Sequence, residues 1–250
     1  MSLRAARLLV WPFAVAAFAL RVCAELWFKP LTWQIDPKGV AFLAWLAVLS
    51  GTLLVPWVGY RLMTRSNRGP ATWQVDAERN RFVAPASPRW MGTSSMLLGW
   101  FAAAFVQTER IAGEDRAQLV QTTGMLALAI AVPAVVLGGI ALTLLLNRPL
   151  LTLDRDGITA QGFVRRTFLP WDRLAPGGPP PPTRKAASIP LMQVHPVPGK
   201  PPYPYPLAAG RLHVDPGLLA NTIRQYVEHP EHRTAIGTPR ELNRLHDTLR

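Results

Sequence analysis

Cysteine is nearly missing from this chain. Cys23 stands alone among 250 residues, so no internal disulfide can form and cysteine carries no information about redox compartment. Lysine is scarce too, with four residues against 23 arginines, and acid is short, with 15 Asp and Glu against 27 Lys and Arg. The net charge of +12 does not gather in a folded basic patch, as a nucleic-acid binder would require. It is spread over the ends of apolar segments and a tail, which suits anionic lipid headgroups and argues against nucleic acid as a partner. No nucleophile elbow, phosphate-cradling glycine loop or paired-carboxylate arrangement occurs. The expectation is a protein that is not an enzyme and that takes no cofactor.

What the chain does have is apolar length. Spans of hydrocarbon-crossing size, roughly 20 residues as a helix, are expected at 8–28, 39–60, 91–108 and 119–147, giving a four-helix transmembrane bundle over residues 1–147. Aromatic residues gather toward several ends, at Trp11, Trp27, Phe28, Trp57, Tyr60 and Trp90, where rings prefer the headgroup level. A secretory signal is the competing reading of the first span, but Arg21 sits where a cleavage region wants small neutral residues. Basic residues bias the amino terminus (Arg4, Arg7) and the loop after the second span (Arg61, Arg65, Arg68, Arg79, Arg81, Arg89). By the positive-inside rule a multi-pass protein of the cell membrane results, with both termini cytoplasmic.

Arg21 and Glu25 lie four residues apart in the first span and share a helix face, so an intramembrane ion pair is expected between them. Pro12, Pro56 and Pro133 are expected to kink spans, and Gly99, Ala102, Ala103 and Ala104 to allow close helix packing.

The polar parts read as small β structure. Residues 72–84 alternate Trp73 and Val75, then Phe82 and Ala84, as a hairpin with one buried face that leans on the carboxy-terminal domain. In that domain, Asp156-Gly157 between Leu151–Leu153 and Ile158–Ala160 predicts a tight turn in which Gly supplies positive φ. A third strand is expected over 163–171 and a late one at 211–214. Thirteen prolines crowd residues 170–206, so the stretch 176–206 reads as a Pro-rich loop with at most a brief element near 189–194. Asp215-Pro216 predicts a capped helix with Leu218, Leu219, Ile223, Tyr226 and Val227 on one face, and Thr238-Pro239 a second short helix.

Leu151-Thr152-Leu153-Asp154-Arg155-Asp156-Gly157-Ile158, Leu169-Pro170-Trp171-Asp172, and Val214-Asp215-Pro216 leading to Tyr226-Val227-Glu228-His229-Pro230-Glu231-His232-Arg233 carry a resemblance. Residues 148–237 resemble the bacterial pleckstrin-homology-like domain found attached to membrane helices, of the actinobacterial type. The resemblance implies a small α+β domain over 148–250, a bent antiparallel sheet closed by a carboxy-terminal helix. It also implies a binding or scaffolding role without catalysis.

His229 and His232 beside Glu228 and Glu231 hold ligand chemistry, but Pro230 breaks their helix and no third His or Cys is placed nearby, so no metal is expected. Arg155, Arg165, Arg166, Arg173, Arg184 and Lys185 form the basic set expected to meet the lipid surface. The expected function is a membrane-anchored, non-catalytic binding or scaffolding protein whose partners are the bilayer and a protein bound by the domain. A small transporter or transporter accessory subunit is the alternative reading.

Overall fold

The computed structural model describes residues 1–67, 72–111, 117–120, 122–146, 150–162, 165–182, 186–195 and 201–248. It divides into a helical unit, Met1–Arg68 with Pro88–Asn147, and a sheet unit, Gly69–Ser87 with Arg148–Arg250.

In the helical unit, α1 (Leu3–Thr32) and α2 (Lys38–Met63) are long and apolar enough to cross a membrane. At 1.5 Å per residue their 30 and 26 residues reach about 45 and 39 Å, more than the hydrocarbon thickness of about 30 Å. Ser2 caps α1, its Oγ accepting from the Ala5 N–H at 3.1 Å. The helix carries a π-helical turn at Ala24–Phe28. Pro56 lies inside α2 without ending it.

The third expected span takes another form. Pro88–Ala102 is a helix (α3) of 15 residues, about 22 Å, followed by a 3₁₀ turn at Ala103–Phe105. Thr108 stands in a strand, β3 (Thr108–Arg110), paired antiparallel with β4 (Ala117–Leu119). The physical reason is composition: Gly92, Thr93, Ser94, Ser95 and Gly99 make α3 a helix that packs closely on protein. Met91, Gly92, Ser95, Met96, Gly99 and Ala102 are buried. A Cβ at Gly99 would stand 2.7 Å from the Ala14 carbonyl oxygen, so only glycine permits this approach of α3 to α1.

The last apolar helix, α4, runs Thr123–Leu146 and continues through Pro133. It starts later than expected because the ribbon takes residues 117–119, and Asn147 lies outside the described residues. The fold therefore holds three helices of spanning length among the described residues, where four were expected. Tyr60 also departs from expectation. Rather than facing the interface it is buried, its hydroxyl donating to the carbonyls of Ala6 (3.2 Å) and Pro88 (2.8 Å).

The sheet unit is built on five antiparallel strands: β1 (Gln74–Asp76), β2 (Arg81–Ala84), β5 (Leu151–Leu153), β6 (Gly157–Gln161) and β7 (Arg166–Pro170), hydrogen-bonded in that order. The 72–84 hairpin thus supplies two of the strands, with Phe82 opposite Leu153 and Ala84 opposite Leu151. Asn80 closes it in the left-handed region at φ 44°. Trp73, Phe82, Leu151, Leu153, Ile158 and Leu169 form one side of the core. The expected third strand begins at Arg166; Phe163 and Val164 lie outside the described residues.

Gly157 is required, but for a different reason from the one the Asp-Gly pair predicted. It opens β6 without a positive φ, and a Cβ there would collide with the Leu169 carbonyl oxygen. The turn is held instead by Asp154, whose Oδ1 accepts from the N–H groups of Asp156 and Gly157, each at 3.0 Å.

The Pro-rich stretch is not all loop. β8 (Ile189–Gln193) pairs antiparallel with β9 (Tyr203–Leu207), setting Pro190 opposite Pro206 and Met192 opposite Pro204. All three prolines have the same parity in the ladder, so their missing donors fall on positions whose N–H would point away from the partner strand. Edge position resolves the conflict between proline and pairing. The expected strand at 211–214 shrinks to a single bridge from Leu212 to Ala86, flanked by His213 N–H to Pro85 O and Ser87 N–H to Arg211 O.

Two helices, α5 (Pro216–Glu228) and α6 (Pro239–Thr248), complete the unit. Asp215 Oδ1 accepts from Gly217 and Leu218 N–H, and Pro216 occupies the first helical position, as predicted. Leu219, Ile223 and Tyr226 enter the core, and the Trp73 indole N–H donates to Thr222 Oγ1 at 3.1 Å, fastening the hairpin to α5. Replacing Thr222 with Val leaves that buried donor unsatisfied, at a cost of about 1–3 kcal/mol. Hydrogen exchange of the 74–84 amides in the full-length chain should accelerate at least severalfold; unchanged exchange would show that this bond does not hold the hairpin.

Candidate functional site

Antiparallel pairing sorts the loops of the sheet to two ends. Register places Gln74, Ala84, Leu151, Gln161 and Arg166 at one end, and Asp76, Arg81, Leu153, Gly157 and Pro170 toward the other. Four residue steps along β6 separate them by about 13 Å. Arg165 and Arg166, both exposed, belong to the first end, where the Gly162 N–H donates to the Arg165 carbonyl at 2.8 Å. Arg155 and Arg173, also exposed, belong to the second end, in the company of Asp154, Asp156 and Asp172. Arg184 and Lys185 lie outside the described residues. The basic set that the sequence groups together therefore divides, and Arg165 and Arg166 form the pair without acidic residues in its own turn.

At the second end, Trp171 Nε1–H donates to the Asp154 carbonyl at 3.0 Å, and its ring lies 5.8 Å from that of Tyr226. The Arg233 guanidinium sits over Trp171 at 5.6 Å, and Arg233 Nε–H donates to the Tyr226 carbonyl at 2.7 Å. Tyr226 donates its hydroxyl to Glu241 Oε1 at 3.0 Å, and Arg244 grips the same carboxylate through Nη2 (2.6 Å) and Nε (2.8 Å). Glu241 is 4% exposed. A buried carboxylate with three charge-assisted or hydroxyl donors is compensated, and it ties α6 to α5. This network escaped sequence reading. Its available signal was the Thr238-to-Glu241 spacing of a capping box, in which Glu241 N–H does donate to Thr238 Oγ1 at 3.2 Å, but the carboxylate turns to Tyr226 and Arg244 instead of back to the cap.

In the helical unit Arg21 and Glu25 interact through space, and the direct ion pair of Glu25 is made elsewhere. Glu25 Oε2 binds Lys29 Nζ at 2.9 Å, one helical turn further on. Arg21 lays its guanidinium over the Trp100 ring of α3, 3.8 Å from the centroid, and its Nε is buried with no hydrogen-bond partner among the described residues. Trp100 Nε1–H donates to Thr52 Oγ1 of α2 at 2.9 Å, which sets the plane of the ring. Helical spacing alone could not choose between Arg21 and Lys29 as the partner of Glu25, since both stand four residues away.

His229 Nδ1 meets Glu231 Oε1 at 3.2 Å, and the rings of His229 and His232 lie 5.8 Å apart. The cluster is exposed and its acidic member is shared by both imidazoles, the arrangement of a solvated helix end. Among the described residues no group of three or more His, Cys, Asp or Glu is arranged to hold a metal ion. Compared with protein-family models, with curated proteins and with solved structures, the chain finds no match in any of the three.

Burial raises the Tyr226 hydroxyl above the usual tyrosine range, and the Glu241 carboxylate pushes it further in the same direction. A folded-state value above the unfolded one, about 10, means that this contribution to stability is complete below pH about 10 and is lost as pH rises beyond it. Alkaline titration of the full-length protein, followed by exchange at 216–248, should show such a loss in the wild type and a flatter limb in Tyr226→Phe. Equal limbs would remove Tyr226 as the titrating group.

Proposed function

We propose that this is a multi-pass protein of the cell membrane with both termini in the cytoplasm, in which α3 and the 3₁₀ turn after it make a fourth, shorter crossing beside the three helices of spanning length, and that it carries a pleckstrin-homology-like domain with a non-catalytic binding or scaffolding role at the inner membrane face. The observation that carries this reading is the exposed apolar surface of the long helices: 11% of the most apolar stretch of α2, and 11% of that of α4, is buried. Water is a poor solvent for such helices and hydrocarbon a good one. The domain assignment draws support from a meandering antiparallel sheet, a separate β8–β9 ribbon and a capped amphipathic helix following them in the chain.

The binding surface we assign is the sheet end that carries Arg165 and Arg166. The chain passes between the apolar helices and the sheet at Gln74, Ala84 and Leu151, all at that same end. In a bilayer-anchored protein the tethered end of a domain is the one offered to the headgroups. Each arginine there gains about 1 kcal/mol from an anionic leaflet. A protein partner bound by the same domain remains part of the proposal.

Two experiments test it. In a Cys23→Ser background, single cysteines at Ser2 and Asn243 should resist an impermeant maleimide in intact cells, and one at Gln34 should react; reaction at either of the first two overturns the orientation. In nanodiscs, a fluorophore at Gln161→Cys should be quenched by headgroup-labelled phosphatidylglycerol, severalfold less in Arg165→Glu/Arg166→Glu. Quenching that ignores both charges would remove this end as the lipid-facing surface.

A further inference from the structure

Among the described residues, Arg21 is a charge in an unusual place. It lies in a helix of membrane-spanning length, where an ionisable side chain is costly unless it meets a counter-charge or acceptors. The neighbour that sequence offers as counter-charge, Glu25, is engaged by Lys29 at 2.9 Å. What Arg21 touches directly is an aromatic face, the Trp100 ring at 3.8 Å, while Glu25 acts on it through space without a direct ion pair. A stacked guanidinium is satisfied on its face and unsatisfied on its edge, because all five N–H bonds lie in the plane. One of these donors, Nε–H, is buried without an acceptor among the described residues.

The platform under this cation is rigid. Thr52 Oγ1 accepts from the Trp100 indole and itself donates to the Leu49 carbonyl at 2.7 Å, so α2 fixes the ring that α3 carries. Phe101 packs edge-on against Trp100 with centroids 5.2 Å apart. Trp100 belongs to the last turn of α3. Arg21 stands six positions, about 9 Å along the axis, before the exposed Trp27 that marks an interface-seeking end of α1. The π-helical turn at Ala24–Phe28 begins three residues after it, and such turns interrupt the ordinary ladder of backbone bonds.

We propose that Arg21 and Trp100 form an anion site for a phosphate group at the Trp27 end of the bundle, occupied by a phospholipid headgroup. The planar fork of arginine matches two phosphate oxygens, and the indole beneath holds that fork in one orientation. A lipid phosphodiester is the favoured source because the site lies on apolar helices near an interface-seeking end, where headgroups are the concentrated phosphate. Soluble phosphate shares the chemistry and is separated by the test. The inference rests on the bilayer reading above.

The test is native mass spectrometry of the full-length protein released from detergent, with phosphatidylglycerol titrated in one arm and inorganic phosphate in another. Wild type should retain one tight phosphatidylglycerol, with affinity at least tenfold weaker in Arg21→Gln and several-fold weaker in Arg21→Lys, which keeps charge but loses the fork. Glu25→Gln should bind as tightly as wild type. Should Arg21→Gln fail to fold, Arg21→Lys and Trp100→Leu carry the comparison. Lipid binding that is equal across the Arg21 variants overturns the site, and inorganic phosphate that displaces the lipid with the same Arg21 dependence overturns the headgroup as its occupant. A chain that stays monodisperse without detergent would instead defeat the membrane reading, an outcome distinct from either.

Discussion

An apolar helix surface that its own chain leaves uncovered must find a solvent other than water, and this constraint governs the front half of the molecule. Val55, Val135 and Leu145 on α2 and α4 are 66%, 74% and 75% exposed. Several polar groups of the same helices are satisfied within the protein. Ser50 donates to the Leu46 carbonyl, Thr52 to Leu49 and Thr143 to Ile140, each hydroxyl returning to its own helix. Tyr60 turns its hydroxyl inward to the Ala6 and Pro88 carbonyls, and the indoles of Trp57 and Trp100 reach Thr93 and Thr52. Against this background Arg21 stands out, its Nε–H buried without an acceptor among the described residues.

The sheet unit obeys the opposite rule, burying its apolar residues against itself, and it does so with pieces far apart in sequence. Trp73 and Phe82 come from between α2 and α3, yet they share a core with Leu153, Ile223 and Tyr226. A two-stranded hairpin is marginal alone; paired with β5 and pinned by the bond from Trp73 to Thr222, it supplies the two outer strands on one side of a five-stranded sheet. Proline guards the ribbon edges. With Pro190, Pro204 and Pro206 on one parity, the ribbon keeps its internal bonds while offering few donors to a stray strand.

Much of this is legible in the order of the residues. The Asp215-Pro216 cap, the face of Leu219, Ile223 and Tyr226, and the Trp73/Phe82 alternation each declare themselves through short-range periodicity and capping chemistry. Expectation and fold part where a local signal has two solutions. Pro density in 170–206 argues against strands in general but not against edge strands of the right parity. Gly157 reads as a turn residue, although space beside the Leu169 carbonyl is what it supplies. Residues 91–108 are apolar enough on average to read as a span, while their small and hydroxyl side chains make a short packed helix. Glu241 stands at capping-box spacing from Thr238, but Tyr226 on α5 and Arg244 one turn further along α6 claim its carboxylate.

Composition and periodicity by themselves determined which stretches are too apolar for water, where caps and hairpins begin, and that the net charge is strongly positive, because each follows from residues within a few positions of one another. Only the tertiary structure decided that Glu25 belongs to Lys29, that Arg21 rests on Trp100, and that Arg165 and Arg166 part company with Arg155 and Arg173. These are choices among partners equally spaced in sequence or distant in it, and only packing in three dimensions distinguishes them.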